Sequence, residues 1–332
     1  MDKPSVMATL TLERCGRDFI ESMIDEGMTS VRINSAHVTP EQLKEMVASI
    51  REVSPQLGIL TDTKGAEVRT TEALSPVIVR EGQILRFAYG PEEMSTAQCV
   101  MLNAPEVERH IAPGQRMLVD DGAVELEVTE TGEGYFLARG VRDGVIESRK
   151  TVGFPGIDLM HLPSVTERDR SAIIAAREAG VDMIAHSFVR NADDVKAVRR
   201  LLEGSEVRLY AKVECRSALE NLDEIIDAAD GILFARGDLG NAIPLSSLPA
   251  VQWRTLARCR ERGCPVILST QILQSMMTSP APTRAEVNDI FLGVMEGAST
   301  FLLCGETATG AYPREATGYL SRTISDSREA FS

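Results

Sequence analysis

The chain has no apolar run of 18 residues, so nothing in it reads as a membrane-spanning helix. Its N-terminus lacks the charged-then-apolar pattern of a secretory leader. The cysteines, Cys15, Cys99, Cys215, Cys259, Cys264 and Cys304, show no CxxC or other metal-ligand spacing, and reduced thiols are expected. An excess of basic charge is also missing. Lys and Arg number 35 against 49 Asp and Glu, a net charge of −14. That balance argues against nucleic acid or an anionic membrane as the main partner, while leaving room for a local basic pocket that takes a small anion. There is no internal repeat and no low-complexity segment. A soluble, cytoplasmic protein is expected.

What is present is an ordinary globular composition, 43% apolar and 25% charged over 332 residues, enough for a sizeable core. The length suggests two domains, or one large barrel with an insertion. Strand and helix signals alternate. Val6–Leu10 is strand-like, and Asp18–Glu26 has helical spacing and ends at Gly27. Ser30–Ile33 reads as a strand. Thr39 as N-cap and Pro40 in the first turn open a helix to about Val53. Leu57–Thr61 is a third strand. From about 70 to 155 the pattern becomes short alternating stretches between glycine turns, including Gln83–Phe87, Arg116–Val119, Val124–Val128 and Tyr135–Arg139. Then alternation resumes. Helices at 167–179, 193–202, 217–228, 250–262, 284–296 and 313–329 alternate with strands Asp182–Phe188, Val207–Val213, Ile232–Ala235, Pro265–Thr270 and Thr300–Cys304. Eight strands and eight helices outside the insert fit a (β/α)8 barrel. A doubly wound sheet is the alternative and usually has fewer strands. The expected division is a barrel over 1–69 and 156–332 and a β-rich domain over 70–155.

Two strands end in chemistry-bearing residues. Val207–Val213 ends at Lys212 and Glu214, and Ile232–Ala235 at Arg236 and Asp238. In a parallel barrel the carboxyl ends of strands are where reactions take place. Two carboxylates from neighbouring strand ends can hold a divalent cation whose shell is completed by water or substrate oxygen. A lysine beside such a metal can steady an enolate or phosphate oxygen. Either segment alone is equally compatible with surface ion pairs. His110, His161 and His186 fall in no motif that suggests chemistry, and structural or surface roles are expected for them. A thiol like Cys304, after an apolar strand, is more often buried and inert than nucleophilic.

These segments belong to a wider pattern that resembles the pyruvate kinase family over nearly the whole chain. The matching stretches are Val-Arg-Ile-Asn-Ser-Ala-His (31–37), Asp-Thr-Lys-Gly-Ala-Glu-Val-Arg-Thr (62–70), Val-Asp-Asp-Gly (119–122), Phe-Pro-Gly (154–156), His-Ser-Phe-Val-Arg (186–190), Lys-Val-Glu (212–214), Ala-Arg-Gly-Asp-Leu-Gly (235–240), Ser-Thr-Gln-Ile-Leu-Gln-Ser-Met (269–276), Pro-Thr-Arg-Ala-Glu (282–286) and Gly-Glu-Thr-Ala (305–308). The resemblance implies a (β/α)8 barrel with the β-rich insert as a mobile lid. It implies that the chain stops where the family's C-terminal domain would begin, without the effector site and the part of the tetramer interface that lie there. A homodimer through the barrel is compatible with that.

The resemblance also implies roles. Glu214 and Asp238 match the divalent-metal carboxylates, for Mg²⁺ or Mn²⁺. Lys212 matches the lysine beside the transferred phosphoryl group, Arg32 the arginine that contacts it, and Thr270 the threonine on the proton path to the enolate carbon. Gly237, Asp238, Ser187 and Thr270 fall at the substrate, with amides near Gly237 and Asp238 receiving its carboxylate. Asn34, His37 and Lys150 fall on the nucleotide side. Asn34, Asp62 and Thr63 match ligands of a monovalent cation, K⁺, whose ligand serine is replaced by Ala36. Asp120-Asp121-Gly122 reads as a turn, with Asp120 or Asp121 able to face a closing cleft. The nucleotide half departs from the family further. Thr9-Leu10-Thr11-Leu12 stands where the family has Thr-Ile-Gly-Pro, Cys304 replaces a serine, and Thr309 replaces the phosphate lysine. Phosphate binding needs localised positive charge, so nucleotide should bind more weakly than in a typical member.

Three functions follow as alternatives. The chain is a phosphotransferase acting on phosphoenolpyruvate or pyruvate with ADP or ATP, or it is a metal-dependent lyase, decarboxylase or enolpyruvyl-type enzyme on a pyruvate-like oxoacid. Both reactions need the same electron sink. The third is a non-catalytic binding protein, against which the Lys212, Glu214, Asp238 and Thr270 set speaks.

Overall fold

The computed structural model describes residues 4–65, 67–120, 122–157 and 160–330. The chain opens with β1 (Ser5–Leu10), α1 (Arg17–Asp25), β2 (Ser30–Asn34), α2 (Pro40–Val53) and β3 (Gly58–Asp62). Helix α2 starts where the sequence places it. Thr39 accepts from the Gln42 amide, and the Gln42 side chain answers to the Thr39 amide.

The inserted segment follows as β4 (Val77–Val79), β5 (Ile84–Tyr89), β6 (Val100–Leu102), β7 (Arg116–Val119), β8 (Val124–Gly132), β9 (Tyr135–Gly140), β10 (Gly144–Ile146) and β11 (Val152–Gly153). Six of these form one sheet in the order β11-β7-β8-β9-β5-β6, and β10 pairs with β4. A core of its own lies beneath them, where Phe87 stacks on Phe136 at 5.0 Å and Phe154 meets Phe136 edge-on. Strands β4, β6, β10 and β11 are three residues or fewer, too short for an alternating pattern to mark them in sequence.

The rest of the chain is α3 (Glu167–Ala179), β12 (Met183–His186), α4 (Ala192–Leu201), β13 (Arg208–Val213), α5 (Arg216–Glu220), α6 (Leu222–Ala228), β14 (Gly231–Ala235), α7 (Arg236–Ala242), α8 (Leu248–Glu261), β15 (Val266–Ser269), α9 (Arg284–Glu296), β16 (Thr300–Leu303), α10 (Gly305–Ala308) and α11 (Pro313–Glu329). Strands β1, β2, β3 and β12 to β16 close into an eight-stranded parallel barrel in the order β1-β16-β15-β14-β13-β12-β3-β2. The barrel expectation is therefore met. Met7, Leu60, Met183, Tyr210, Leu233, Ile267 and Leu302 fill its interior, while the alternate residues of each strand pack outward against the helices.

Two local expectations need correction. The helix read over 217–228 is two helices, α5 and α6, which meet at Asn221, where the Asn221 side chain donates to the Arg190 carbonyl at 2.9 Å. Residues after Ala235, read as a charged strand end, wind straight into α7.

Both connections to the insert are tied to the barrel. On the first, the amides of Lys64 and Gly65 donate to Asp169 Oδ1 at 2.9 and 3.2 Å, and Asp169 is also the third residue of the α3 capping box. On the second, the Arg190 guanidinium donates to the carbonyls of Met160 and Leu162 at 3.2 and 2.9 Å while paired with Asp194.

Candidate active site

Side chains alternate inward and outward along each strand, so the last inward position of each barrel strand lies at the carboxyl-end mouth. Here those positions turn from apolar to charged or polar. On β3, Leu60 is followed inward by Asp62, and on β13, Tyr210 is followed by Lys212 and then Glu214. Arg32 projects from β2, and Ser187 follows β12.

The structure brings these groups together. Arg32 donates to Asp62 Oδ2 through both Nε, at 3.1 Å, and a terminal nitrogen, at 2.5 Å. Lys212 Nζ lies 3.6 Å from the same Asp62 oxygen, 2.8 Å from Glu214 Oε1 and 2.8 Å from Ser187 Oγ, to which it donates. All four charged side chains are shielded, with 13% exposure for Arg32, 12% for Lys212, 3% for Asp62 and 1% for Glu214. Burial works against the Lys212 charge, but Glu214 and Asp62 outweigh it and its pKa lies above that of an ordinary lysine. Arg32 follows the same logic, with Asp62 outweighing burial. Both are cations at any relevant pH.

Two oxygens in this set lack hydrogen-bond donors among the described residues. Asp62 Oδ1 is buried without one. Glu214 Oε1 lies near Lys212 Nζ without meeting it in hydrogen-bond geometry. The other Glu214 oxygen accepts from the Phe188 amide at 2.8 Å. Unpaired carboxylate oxygens in a buried site fit a cation. Glu214 and Asp238 line one cavity of about 150 Å³, shared with Phe188 of the barrel and with Val68, Phe154 and Leu162 near the insert. Among the described residues no three His, Cys, Asp or Glu side chains converge on a closed metal cage. A divalent ion here would rest on two protein carboxylates, with substrate and water oxygens supplying the remainder.

Backbone conformation shapes the same rim. Phe188 and Thr270 both adopt left-handed φ, 54° and 67°, Phe188 two residues past β12 and Thr270 directly past β15. Such values are rare for a bulky or β-branched residue and collect where structure serves a site. Thr270 is held from several sides. Its hydroxyl donates to the Ser269 carbonyl at 2.6 Å and accepts from the Gly237 amide at 2.7 Å, and Arg236 donates to its carbonyl. The Gly237 amide, expected to face a substrate carboxylate, is thus already given to Thr270. No pattern in the sequence signals these left-handed turns, since neither position is glycine.

The residues expected on the nucleotide side stand apart from this buried set. Asn34 Oδ1 accepts from the Ala36 amide at 3.0 Å and caps the short turn containing Ala36 and His37. His37 is exposed, and partial desolvation with the charges of Arg32 and Arg69 lowers its pKa. Lys150 pairs with Asp120 at 3.0 Å and Glu147 at 3.2 Å, a hydrogen bond to Asp120 raising its pKa. Asp121 lies outside the described residues. Thr63 joins Asp62 at the end of β3, and its carbonyl accepts from Ser187 Oγ at 2.6 Å. Sequence reasoning missed Arg14. In the short turn that stands where the family has Gly-Pro, Arg14 donates to the carbonyls of Thr307 and Gly310 at 2.9 and 2.8 Å, on either side of Thr309. Cys304 is raised in pKa by burial, although Arg32 opposes this, so its thiol stays protonated.

The chain matches the family described as pyruvate kinase, barrel domain, over residues 1–317. It is 36% identical to the pyruvate kinase of Borreliella burgdorferi over 94% of this chain and 65% of that protein. With the pyruvate kinase of Methylorubrum extorquens it shares 38% identity over 96% of this chain and 67% of that one. A crystal structure of a pyruvate kinase from Cryptosporidium parvum superposes with a TM-score of 0.93 at 30% identity, covering 99% of this chain and 70% of that chain. The chain thus spans about two thirds of the length of these relatives. Closed barrel, inserted sheet, mouth geometry and kinship agree, and the chain belongs to the pyruvate kinase family.

Proposed function

We propose that the protein is a pyruvate kinase-type phosphotransferase, moving a phosphoryl group between phosphoenolpyruvate and a nucleoside diphosphate with a divalent metal, Mg²⁺ or Mn²⁺. The observation that most supports this is the buried set of Arg32, Asp62, Lys212 and Glu214, which fixes two cations and two carboxylates at the barrel mouth before any ligand arrives. Nothing in the relatives favours a lyase or decarboxylase instead.

In phosphoryl transfer the protein mainly positions groups and neutralises developing charge. The bond between phosphorus and the enol oxygen breaks, the phosphoryl group passes to a terminal oxygen of ADP, and the enolate takes a proton at its methylene carbon. Lys212 and Arg32 supply positive charge to the transferring group and the enolate oxygen. Thr270 stands on the proton path to the carbon. Ser187 and the backbone at Gly237 and Asp238 receive the carboxylate, the Gly237 amide exchanging Thr270 Oγ1 for it. Glu214 and Asp238 would hold the divalent ion, which when bound supplies Lewis-acid stabilisation. Asn34, Asp62 and Thr63 would hold a monovalent cation, K⁺, with Ala36 giving no hydroxyl. Asn34, His37 and Lys150 face the nucleotide. Residues 70–155 act as a lid domain on a barrel of 1–69 and 156–332, and its tethers at Asp169 and Arg190 are where closure would pivot. We place the protein in the cytoplasm, as a homodimer through the barrel.

The direct test mixes the protein with Mg²⁺, ADP and phosphoenolpyruvate and follows pyruvate and ATP together. Formation of both in equal amounts is expected. Pyruvate without ATP would replace this reading with a hydrolytic one.

A further inference from the structure

His186 ends β12 on the same face as Ile184, which belongs to the apolar layer between strands and helices. An apolar side chain would suit that position. His186 is instead fully buried, with 0% exposure, and its Nε2 has no hydrogen-bond partner among the described residues. Leaving a buried polar atom unpaired is costly, so the ring needs an explanation.

The charged groups that face it do not provide one. Asp169, from α3, and Asp194, from α4, act on the ring through space, as do Glu214 and Lys212 from the β13 end. Both aspartates are already committed. Asp169 takes the amides of Lys64 and Gly65 on one oxygen and Thr166 on the other, and Asp194 takes Arg190 on both. The ring has one specific contact left, Nδ1 to Thr63 Oγ1 at 3.2 Å. Thr63 Oγ1 already accepts from the Ser187 amide at 2.9 Å, so its own proton is available to donate. With the Thr63 hydroxyl donating, Nδ1 is the acceptor and the ring proton sits on Nε2. From Thr63 the contacts run on. Ser187 Oγ donates to the Thr63 carbonyl at 2.6 Å and accepts from Lys212 Nζ at 2.8 Å. A lysine ammonium on a flexible stem sits where its partners hold it.

We propose that His186 is a positioning residue. Its Nδ1 accepts the Thr63 hydroxyl proton and, through Thr63 and Ser187, fixes where the Lys212 ammonium sits. The effect on catalysis rests on the phosphotransferase reading of Lys212, whereas the link from His186 to Thr63 does not.

Two experiments test it. Ring-nitrogen NMR of ¹⁵N-histidine-labelled protein at neutral pH, with His186 assigned from the spectrum of a H186N sample, should show the Nε2–H tautomer. An Nδ1–H ring or an imidazolium would overturn the proposal. The second compares H186L with H186N. Leucine keeps the bulk and removes the unpaired atom, and asparagine keeps an acceptor near Nδ1. H186L should melt no lower than the wild type yet lose about tenfold in kcat with KM little changed, the scale of one hydrogen bond. H186N should stay within about threefold of the wild-type kcat. Wild-type turnover in H186L, or H186N no better than H186L, would overturn the proposal. A wild type that forms no pyruvate at all would instead sink the phosphotransferase reading, and the tautomer would still decide the Thr63 link, as it would if H186L failed to fold.

Discussion

Lys212 and Glu214 meet at 2.8 Å with little solvent on either, whereas His37 and Thr309, at the same mouth, are exposed. The buried side is a closed electrostatic unit. Each charge has an opposite neighbour within the protein, so the groups take their places without a ligand, and that is the condition under which fixed charges act most strongly on a transition state. The exposed side has no such enclosure. Its residues are held locally, Asn34 Oδ1 by the Ala36 amide and Lys150 by Asp120 and Glu147, and solvent screens the exposed charges. On the proposed function, one side is preorganised for the oxoacid before it binds, and the other would be organised by the nucleotide itself.

The comparison breaks most visibly at Asp62. Asp62→Ala leaves Arg32 without its carboxylate and weakens the hold on Lys212, in a setting where losing one partner of a buried pair costs about 3–5 kcal/mol. Urea unfolding should report a loss on that scale, and a loss under about 1 kcal/mol would mean the set is not a unit. Next comes Lys212→Met, which keeps bulk and removes charge. Activity on an enolpyruvate substrate should fall at least about a hundredfold, and near wild-type turnover would rule out its role. Glu214→Gln retains an acceptor for the Phe188 amide but lowers the charge. Calorimetry with Mn²⁺ and oxalate should show affinity reduced about tenfold or more, and unchanged affinity would remove Glu214 from the proposed metal site. The smallest effect tests the exposed side. Thr309→Lys should tighten ADP by about a fewfold, the scale of one exposed charge, while oxalate binding with Mg²⁺ stays as it was. Oxalate shifting as much as ADP would show that the two sides are not separable.

The barrel was legible in the sequence because its strands are apolar runs and its helices carry caps, such as Thr39 with Gln42, that act within a few residues. Lys212 and Glu214 of the buried unit were legible too, since they close an apolar strand run, whereas Arg32 and Asp62 were expected only from the family resemblance. What was not legible depends on distant partners. The break at Asn221 exists because its side chain reaches Arg190, 31 residues away. The left-handed turns at Phe188 and Thr270 are imposed by their surroundings, not by residue type. His186 reads as an unremarkable strand-end residue until Thr63, 123 positions earlier, is beside it. Arg14 is in the same position, since its carbonyl partners near Thr309 lie almost 300 residues further on.

Glu306, the acidic residue of Gly-Glu-Thr-Ala, is fully buried. One of its oxygens accepts from the Leu273 amide and the other from the Cys304 amide, so it staples the loop after β15 to the start of α10. Glu286 of Pro-Thr-Arg-Ala-Glu similarly holds Ser275 while capping α9. Both staples hold this part of the barrel together whatever ligand the mouth takes. Two of the stretches by which such chains are recognised therefore measure inheritance of a scaffold, and say little about which ligands the barrel mouth takes.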